Sequence, residues 1–126
     1  MSSSIAIIGA STHRSKYGNK AVRAYRRQGW TVFPVNPNAP VIEGLQAYRS
    51  LRDVPAEHLD RVSLYVPPSV GLQLLDDIAA RPGAEVWLNP GAGAPELVRR
   101  GKELGLNIIL GCSIVAVGVS PDEFDD

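Results

Sequence analysis

The stretch IAIIGASTHRSKYGNKAV, residues 5–22, decides the fold. It opens on an unbroken apolar run that stops at Gly9, crosses a polar loop and enters a helix-patterned segment. A strand that is apolar throughout, with no alternation, is buried on both faces, as strands of parallel sheets are. The loop carries the hydroxyls of Ser11, Thr12 and Ser15, the imidazole of His13 and the cations Arg14 and Lys16, with no acid among them. At a helix start, unpaired backbone N–H groups and the helix dipole favour negative charge. Gly9 permits close approach of backbone to a ligand, and Gly18 lets the chain enter the helix tightly. A phosphate or pyrophosphate is the expected occupant.

Outward from this turn, apolar runs and helical periods keep alternating. Residues 19–28 place Ala21, Val22 and Tyr25 on one face with arginines opposite, and Gly29 ends the segment. Strand-like runs follow at 30–35, 61–66, 85–88 and 106–110. Between them, Ser69 is read as the cap of a helix over 69–80 with Val70, Leu74, Leu75 and Ile78 as its buried stripe. A further helix over 94–104 starts near Pro95, a residue favoured in a first helical turn. Apolar strands separated by helices predict an α/β fold, a doubly wound parallel sheet of about five strands in three layers, α/β/α. Only the connection over 38–60 lacks a full helix. The expected organisation is one domain over residues 1–126, with an acidic tail at about 120–126 left as a solvated end.

Composition narrows the function. The 126 residues are 44% hydrophobic and 21% charged with zero net charge, which argues against disorder and against a general nucleic-acid binder. The zero hides an asymmetry. Arg14, Lys16, Lys20, Arg23, Arg26 and Arg27 all precede the first acid, Glu43, whereas Asp122, Glu123, Asp125 and Asp126 crowd the end. No apolar run approaches the roughly 20 residues that span a bilayer. The opening MSSS leads straight into a strand without a signal-peptide pattern. A lone cysteine, Cys112, forms no intramolecular disulfide, so a reducing cytoplasm is the expected setting.

In open α/β sheets ligands lie beyond the carboxyl ends of the strands. Here those ends read GASTHRSKYG, VNPN, VPPS, NPGAG and GCS, the floor of an elongated cleft for a flat, partly apolar ligand. The dinucleotide fingerprint G-x-G-x-x-G and the triphosphate loop G-x-x-x-x-G-K-[ST] are both absent. The second strand ends in Val35-Asn36-Pro37-Asn38, with no acid for ribose hydroxyls, which speaks against NAD and permits a phosphorylated ribose. His13, His58 and Cys112 show no metal-ligand spacing, and no nucleophile elbow G-x-S-x-G occurs.

These motifs resemble the CoA-binding domain family, the Rossmann-like module also found at the N-terminus of the succinyl-CoA synthetase α subunit. The resemblance rests on Gly9-Ala10-Ser11, Tyr17-Gly18, Val32-Phe33-Pro34-Val35-Asn36-Pro37, Ser50-Leu51-Arg52-Asp53-Val54-Pro55, Val66-Pro67-Pro68, Trp87-Leu88-Asn89-Pro90-Gly91 and Cys112, in that order along the chain. It implies coenzyme A as cofactor on the first loop (Gly9, Ala10, Ser11, Thr12, His13, Arg14, Lys16, Tyr17 and Gly18), with its pyrophosphate on the Ser11–Arg14 part and Arg14 or Lys16 on the 3′-phosphate. It places adenosine near Val35, Asn36, Pro37, Val66, Pro67 and Pro68, and pantetheine toward Asn89, Pro90 and Gly91. Asn89 stands where glutamine is more frequent in stand-alone members. The helix that commonly precedes the first strand is also lacking, so one sheet face is expected to be less covered and the chain to be a monomer or weak homodimer.

Two classes of function stay open on the residues. One is a non-catalytic CoA or acyl-CoA carrier or sensor, without the phosphohistidine domain that ligase activity would need. The other is an NAD(H)- or other nucleotide-dependent redox sensor or enzyme, or a thiol-exchange protein in which Cys112 forms a mixed disulfide with CoA. Cys112 also reads simply as a small buried hydrophobe.

Overall fold

In a computed structural model, which describes residues 3–126, the opening apolar run is β1 (Ser4–Ile8), near the centre of the sheet. The first two residues of the MSSS lead-in lie outside the described residues. Four more parallel strands join β1: β2 (Thr31–Val35), β5 (Arg61–Leu64), β6 (Glu85–Leu88) and β7 (Asn107–Leu110). Their spatial order is β2-β1-β5-β6-β7. The chain runs outward from β1 to β2, then returns to build β5, β6 and β7 on the other side. The order therefore reverses between β1 and β5. The register brings Val35, Ile8, Leu64, Leu88 and Leu110 into one row, so the five carboxyl ends form a level edge.

Alternate side chains point to opposite faces, and each face has its own helices. Ala6, Ile8, Val62, Leu64, Val86 and Leu88 pack under α2 (Pro68–Ala79) and α3 (Pro95–Glu103) with Leu75, Ile78 and Leu97. Ile5 and Ile7 pack under α1 (Tyr17–Arg27) with Ala21, Val22 and Tyr25. Each such fully buried aliphatic contributes about 1.5–3 kcal/mol of transfer free energy.

Three local expectations change. Helix α1 starts at Tyr17, so Gly18 lies inside its first turn and Lys16 is the cap residue. Helix α2 starts at Pro68 with Pro67 as its cap, so Ser69 caps nothing. The acidic tail is not a free end. After α4 (Ser113–Ala116), Pro121–Phe124 forms a 3₁₀ turn that buries Phe124 against α1, and Glu123, Asp125 and Asp126 pair with the basic face of that helix.

The connection over 38–60 holds a hairpin of two-residue strands, β3 (Val41–Ile42) and β4 (Leu45–Gln46), and a 3₁₀ turn at Leu51–Asp53. A bridge between Val35 and Tyr48 ties it alongside β2, which brings Arg49, Ser50 and Leu51 to the carboxyl edge. On the α1 side of the β6–β7 half of the sheet, Trp87 and Ile109 are half-exposed. No helix among the described residues is long and apolar enough to cross a membrane.

Candidate functional site

A cavity of about 930 Å³ opens along the carboxyl edge, at the reversal point between β1 and β5. The turn after β1 forms one wall with Gly9, Ala10, Ser11, Ser15, Lys16, Tyr17 and Gly18. Val35, Asn36 and Pro37 close one end, Val66 and Pro67 lie opposite, and Pro90-Gly91 bounds the far end. Arg49, Ser50, Leu51, Val70 and Leu74 complete it. Lys16 and Arg49 are the charged residues of this lining, and no carboxylate joins them.

The first turn is held by very close backbone packing. Gly9 has φ +88°, and a Cβ there would lie 2.7 Å from the Tyr65 carbonyl oxygen. A Cβ on Gly18 would lie 2.2 Å from the Gly9 carbonyl oxygen, closer than any carbon can sit. The two glycines thus serve contacts within the chain. The close approach at Gly9 is to the neighbouring strand end, not to a ligand as expected from the sequence.

Asn19 locks the loop onto the helix. Its buried amide donates to the Ser11 carbonyl at 2.8 Å and to Glu43 at 3.0 Å, while its oxygen accepts from Arg23. The Asn19 hydrogen bond and the neighbouring Arg14 charge hold the Glu43 carboxyl below its ordinary range. At the β2 end, the Asn36 amide donates to the Ala10 carbonyl, and its oxygen accepts from the Asn38 and Ala39 amides. The Tyr17 and Gly18 amides, in the first turn of α1, have no acceptor within the helix, and no acid stands in that turn.

Ion pairing sorts the basic residues of the first third. Arg14 binds Glu43 at 2.6 Å, Lys20 binds Asp125, Arg23 binds Asp126, and Arg27 binds Glu123. Arg26 donates to the Glu43 carbonyl. Among the described residues Lys16 and Arg26 pair with no carboxylate, and of the two only Lys16 faces the cavity.

Several expected ligand residues lie elsewhere. Thr12, His13 and Arg14 are exposed outside the cavity lining, because the loop turns outward after Ser11 and Arg14 is drawn to Glu43. Pro68 sits behind Pro67 in the first turn of α2 and is also outside the lining. Asn89 is 2% exposed and its side chain is fully committed. Its amide donates to Ser63 Oγ and the Leu64 carbonyl, and its oxygen accepts from the Ser113 amide. That arrangement leaves no group on it to hold a pantetheine amide.

Beneath the edge, Asn89 belongs to a buried polar network that sequence reasoning missed. Ser63 and Ser113 hydroxyls meet at 2.7 Å, Tyr65 OH reaches Ser113 at 3.0 Å, and Tyr25 OH donates to the Ser113 carbonyl. Burial pushes the Tyr65 and Tyr25 phenols above their ordinary pKa, so both stay protonated. Cys112 precedes this serine at the end of β7, as the topology predicts. It is half-buried in the α1-side cluster and lines neither this cavity nor the neighbouring one. Among the described residues no group of His, Cys, Asp and Glu is placed to hold a metal ion.

A five-stranded parallel sheet whose order reverses between β1 and β5, with helices on both faces, defines a Rossmann-like α/β domain. The chain belongs to the CoA binding domain family, which matches residues 3–118. It is 35% identical over 72 residues to the α subunit of the ADP-forming acetate–CoA ligase II of Pyrococcus furiosus, covering 56% of this chain and 16% of that subunit. A conserved hypothetical protein of Pyrococcus furiosus superposes with a TM-score of 0.81 at 35% identity, over 90% of this chain and 98% of that one. The dinucleotide-forming acetyl-coenzyme A synthetase 1 of Ca. Korarchaeum cryptofilum matches with a TM-score of 0.72 at 30% identity, over 85% of this chain and 25% of that one. The chain thus spans a small part of the ligase and synthetase relatives.

Proposed function

We propose that this chain binds coenzyme A, free or acylated, along the carboxyl edge of the sheet, as a carrier or sensor that does no chemistry itself. The carrying observation is that Lys16 and Arg49, both without carboxylate partners, line one cavity whose remaining walls are neutral. Two separated cations in a largely apolar slot suit a ligand with two separated phosphate groups. In this reading the pyrophosphate rests on the Tyr17 and Gly18 amides with Lys16, Ser11 and Ser15. Adenosine lies between Val35-Asn36-Pro37 and Val66-Pro67, with its 3′-phosphate toward Arg49. Pantetheine runs to Pro90-Gly91. A cytoplasmic setting goes with this reading, on the strength of the single unpaired cysteine.

The strand-end asparagine favours this reading over NAD(H), because Asn36 spends its side chain on Ala10, Asn38 and Ala39 and no acid stands beside it. Titration calorimetry tests it. CoA should bind, 3′-dephospho-CoA more weakly, and NADH negligibly. Lys16→Ala should weaken CoA about tenfold, the loss of one charge-assisted contact. Tighter binding of NADH than of CoA would overturn the reading.

A further inference from the structure

A second cavity, of about 850 Å³, lies between α3 and the edge strand β7 and shares Pro90 and Gly91 with the first. We infer that it is an acyl slot, and that the preferred ligand is a thioester of CoA with an aliphatic chain of medium length. This rests on the proposed CoA reading, in which the pantetheine arm ends at the shared Pro90-Gly91 wall.

The chemistry of the walls carries the inference. Leu88 and Leu110 form the floor, and Ala94, Pro95 and Val98 form the helix side. Asn89, the polar side chain at the junction, spends every hydrogen-bonding atom inside the protein. Arg99 and Lys102 stand at the mouth, exposed, and Arg99 leans to Glu103 of its own helix. A free thiol gains nothing from hydrocarbon walls of this extent. An alkyl chain gains about fourfold in affinity for each methylene it buries. The volume lies within the roughly 300–1,000 Å³ typical of small-molecule sites.

Gly93 keeps the slot open. A Cβ at this position would lie 3.0 Å from the Leu110 Cδ2 and 3.8 Å from the Leu88 Cβ, so a side chain there projects into the cavity. The nearer atom is the tip of an exposed leucine, 64% accessible, which can swing outward. A bulky residue at 93 therefore fills the slot without disturbing the core or the phosphate end.

The test is calorimetry with CoA, acetyl-CoA and hexanoyl-CoA on the wild-type chain, Gly93→Leu and Leu110→Asp. The second variant sits on the surface and keeps the test independent of how well the first folds. Hexanoyl-CoA is expected to bind the wild type about fifteenfold more tightly than CoA, the gain from fully burying about two of its methylenes in a slot open on one side, with acetyl-CoA between them. Both variants should lose that preference while CoA affinity stays within about twofold. Equal affinities for CoA and hexanoyl-CoA in the wild type would overturn the acyl slot and leave the CoA reading intact. A preference that survives both variants would place the chain elsewhere and likewise overturn it. Failure of all three ligands to bind would overturn the CoA reading together with the slot.

Discussion

The two faces of the sheet solve different problems. Toward α2 and α3 the sheet presents apolar side chains, mainly the aliphatic Ala6, Ile8, Val62, Leu64, Val86 and Leu88 with Phe33 beside them, closed over by Leu75, Ile78 and Leu97. Toward α1, the same strands β5 and β6 present Arg61, Ser63, Tyr65, Glu85, Trp87 and Asn89. Arg61 lies between the Trp30 and Trp87 rings at 4.9 and 5.3 Å, and its guanidinium donates to Tyr25 and Glu85. Aliphatic packing is non-directional, so it stabilises the fold without fixing the strand ends to one another. The hydrogen bonds through Asn89, Ser63 and Ser113 are directional, and they join the ends of β5 and β6 to the start of α4. One face supplies stability, and the other aligns the carboxyl edge.

The largest break is on the aliphatic side. Leu64→Ala removes a fully buried side chain from that cluster and should cost about 3 kcal/mol in urea unfolding, through lost transfer energy and a cavity. Among molecules still folded, CoA affinity should change little. If affinity fell in proportion to stability, the division between the faces would not hold.

Asn89→Ala tests the other face. It leaves the Ser113 amide and the Leu64 carbonyl without their buried partners, at about 2 kcal/mol, less than the leucine variant. Its effect on ligand binding should nevertheless be the larger, because the shared Pro90-Gly91 wall follows directly from Asn89. Calorimetry on both variants at a temperature where each is folded gives the comparison.

Glu43→Gln probes the clamp on the first loop. The folded carboxyl is held below its ordinary value of 4.5, chiefly by the Asn19 amide and then by Arg14. Its contribution is therefore complete above about pH 4.5 and is lost as pH falls through the lower, folded value. The variant should be less stable than the wild type by about 1 kcal/mol at neutral pH. That gap should close in urea titrations below pH 4.5. A gap independent of pH would remove the carboxylate from the clamp.

The aliphatic face was readable in the sequence and the polar face was not, for a physical reason. Residues such as Ile8, Val62, Leu64 and Val86 favour burial in a strand, so their runs announce the sheet. Ser63, Tyr65 and Ser113 are compatible with loop, strand or surface, and only the fold brings positions 50 residues apart to 2.7 Å. The same holds at the cavity. Gly9, Ser11, Lys16 and Gly18 lie in one turn whose chemistry is local, and that half of the site was legible. Arg49 reaches the edge through a hairpin of two-residue strands and a single bridge at Tyr48, too short to leave a periodic signal.

The tail is the same lesson in charge. Asp125 and Asp126 looked like a solvated end because their partners, Lys20 at 2.5 Å and Arg23 at 2.8 Å, lie about a hundred positions earlier. Both carboxylates are solvent-exposed and screened, so Asp125→Asn with Asp126→Asn should barely change stability. Their charge, however, offsets the basic face of α1, whose N-terminus opens on the end of the cavity proposed to hold the phosphates. Neutralising them should strengthen CoA binding about twofold at low salt, and the gain should vanish near 1 M salt, where the screening length is about 3 Å. A gain that persists at high salt would mean that the variants act by moving Phe124 and α1, and not through the field.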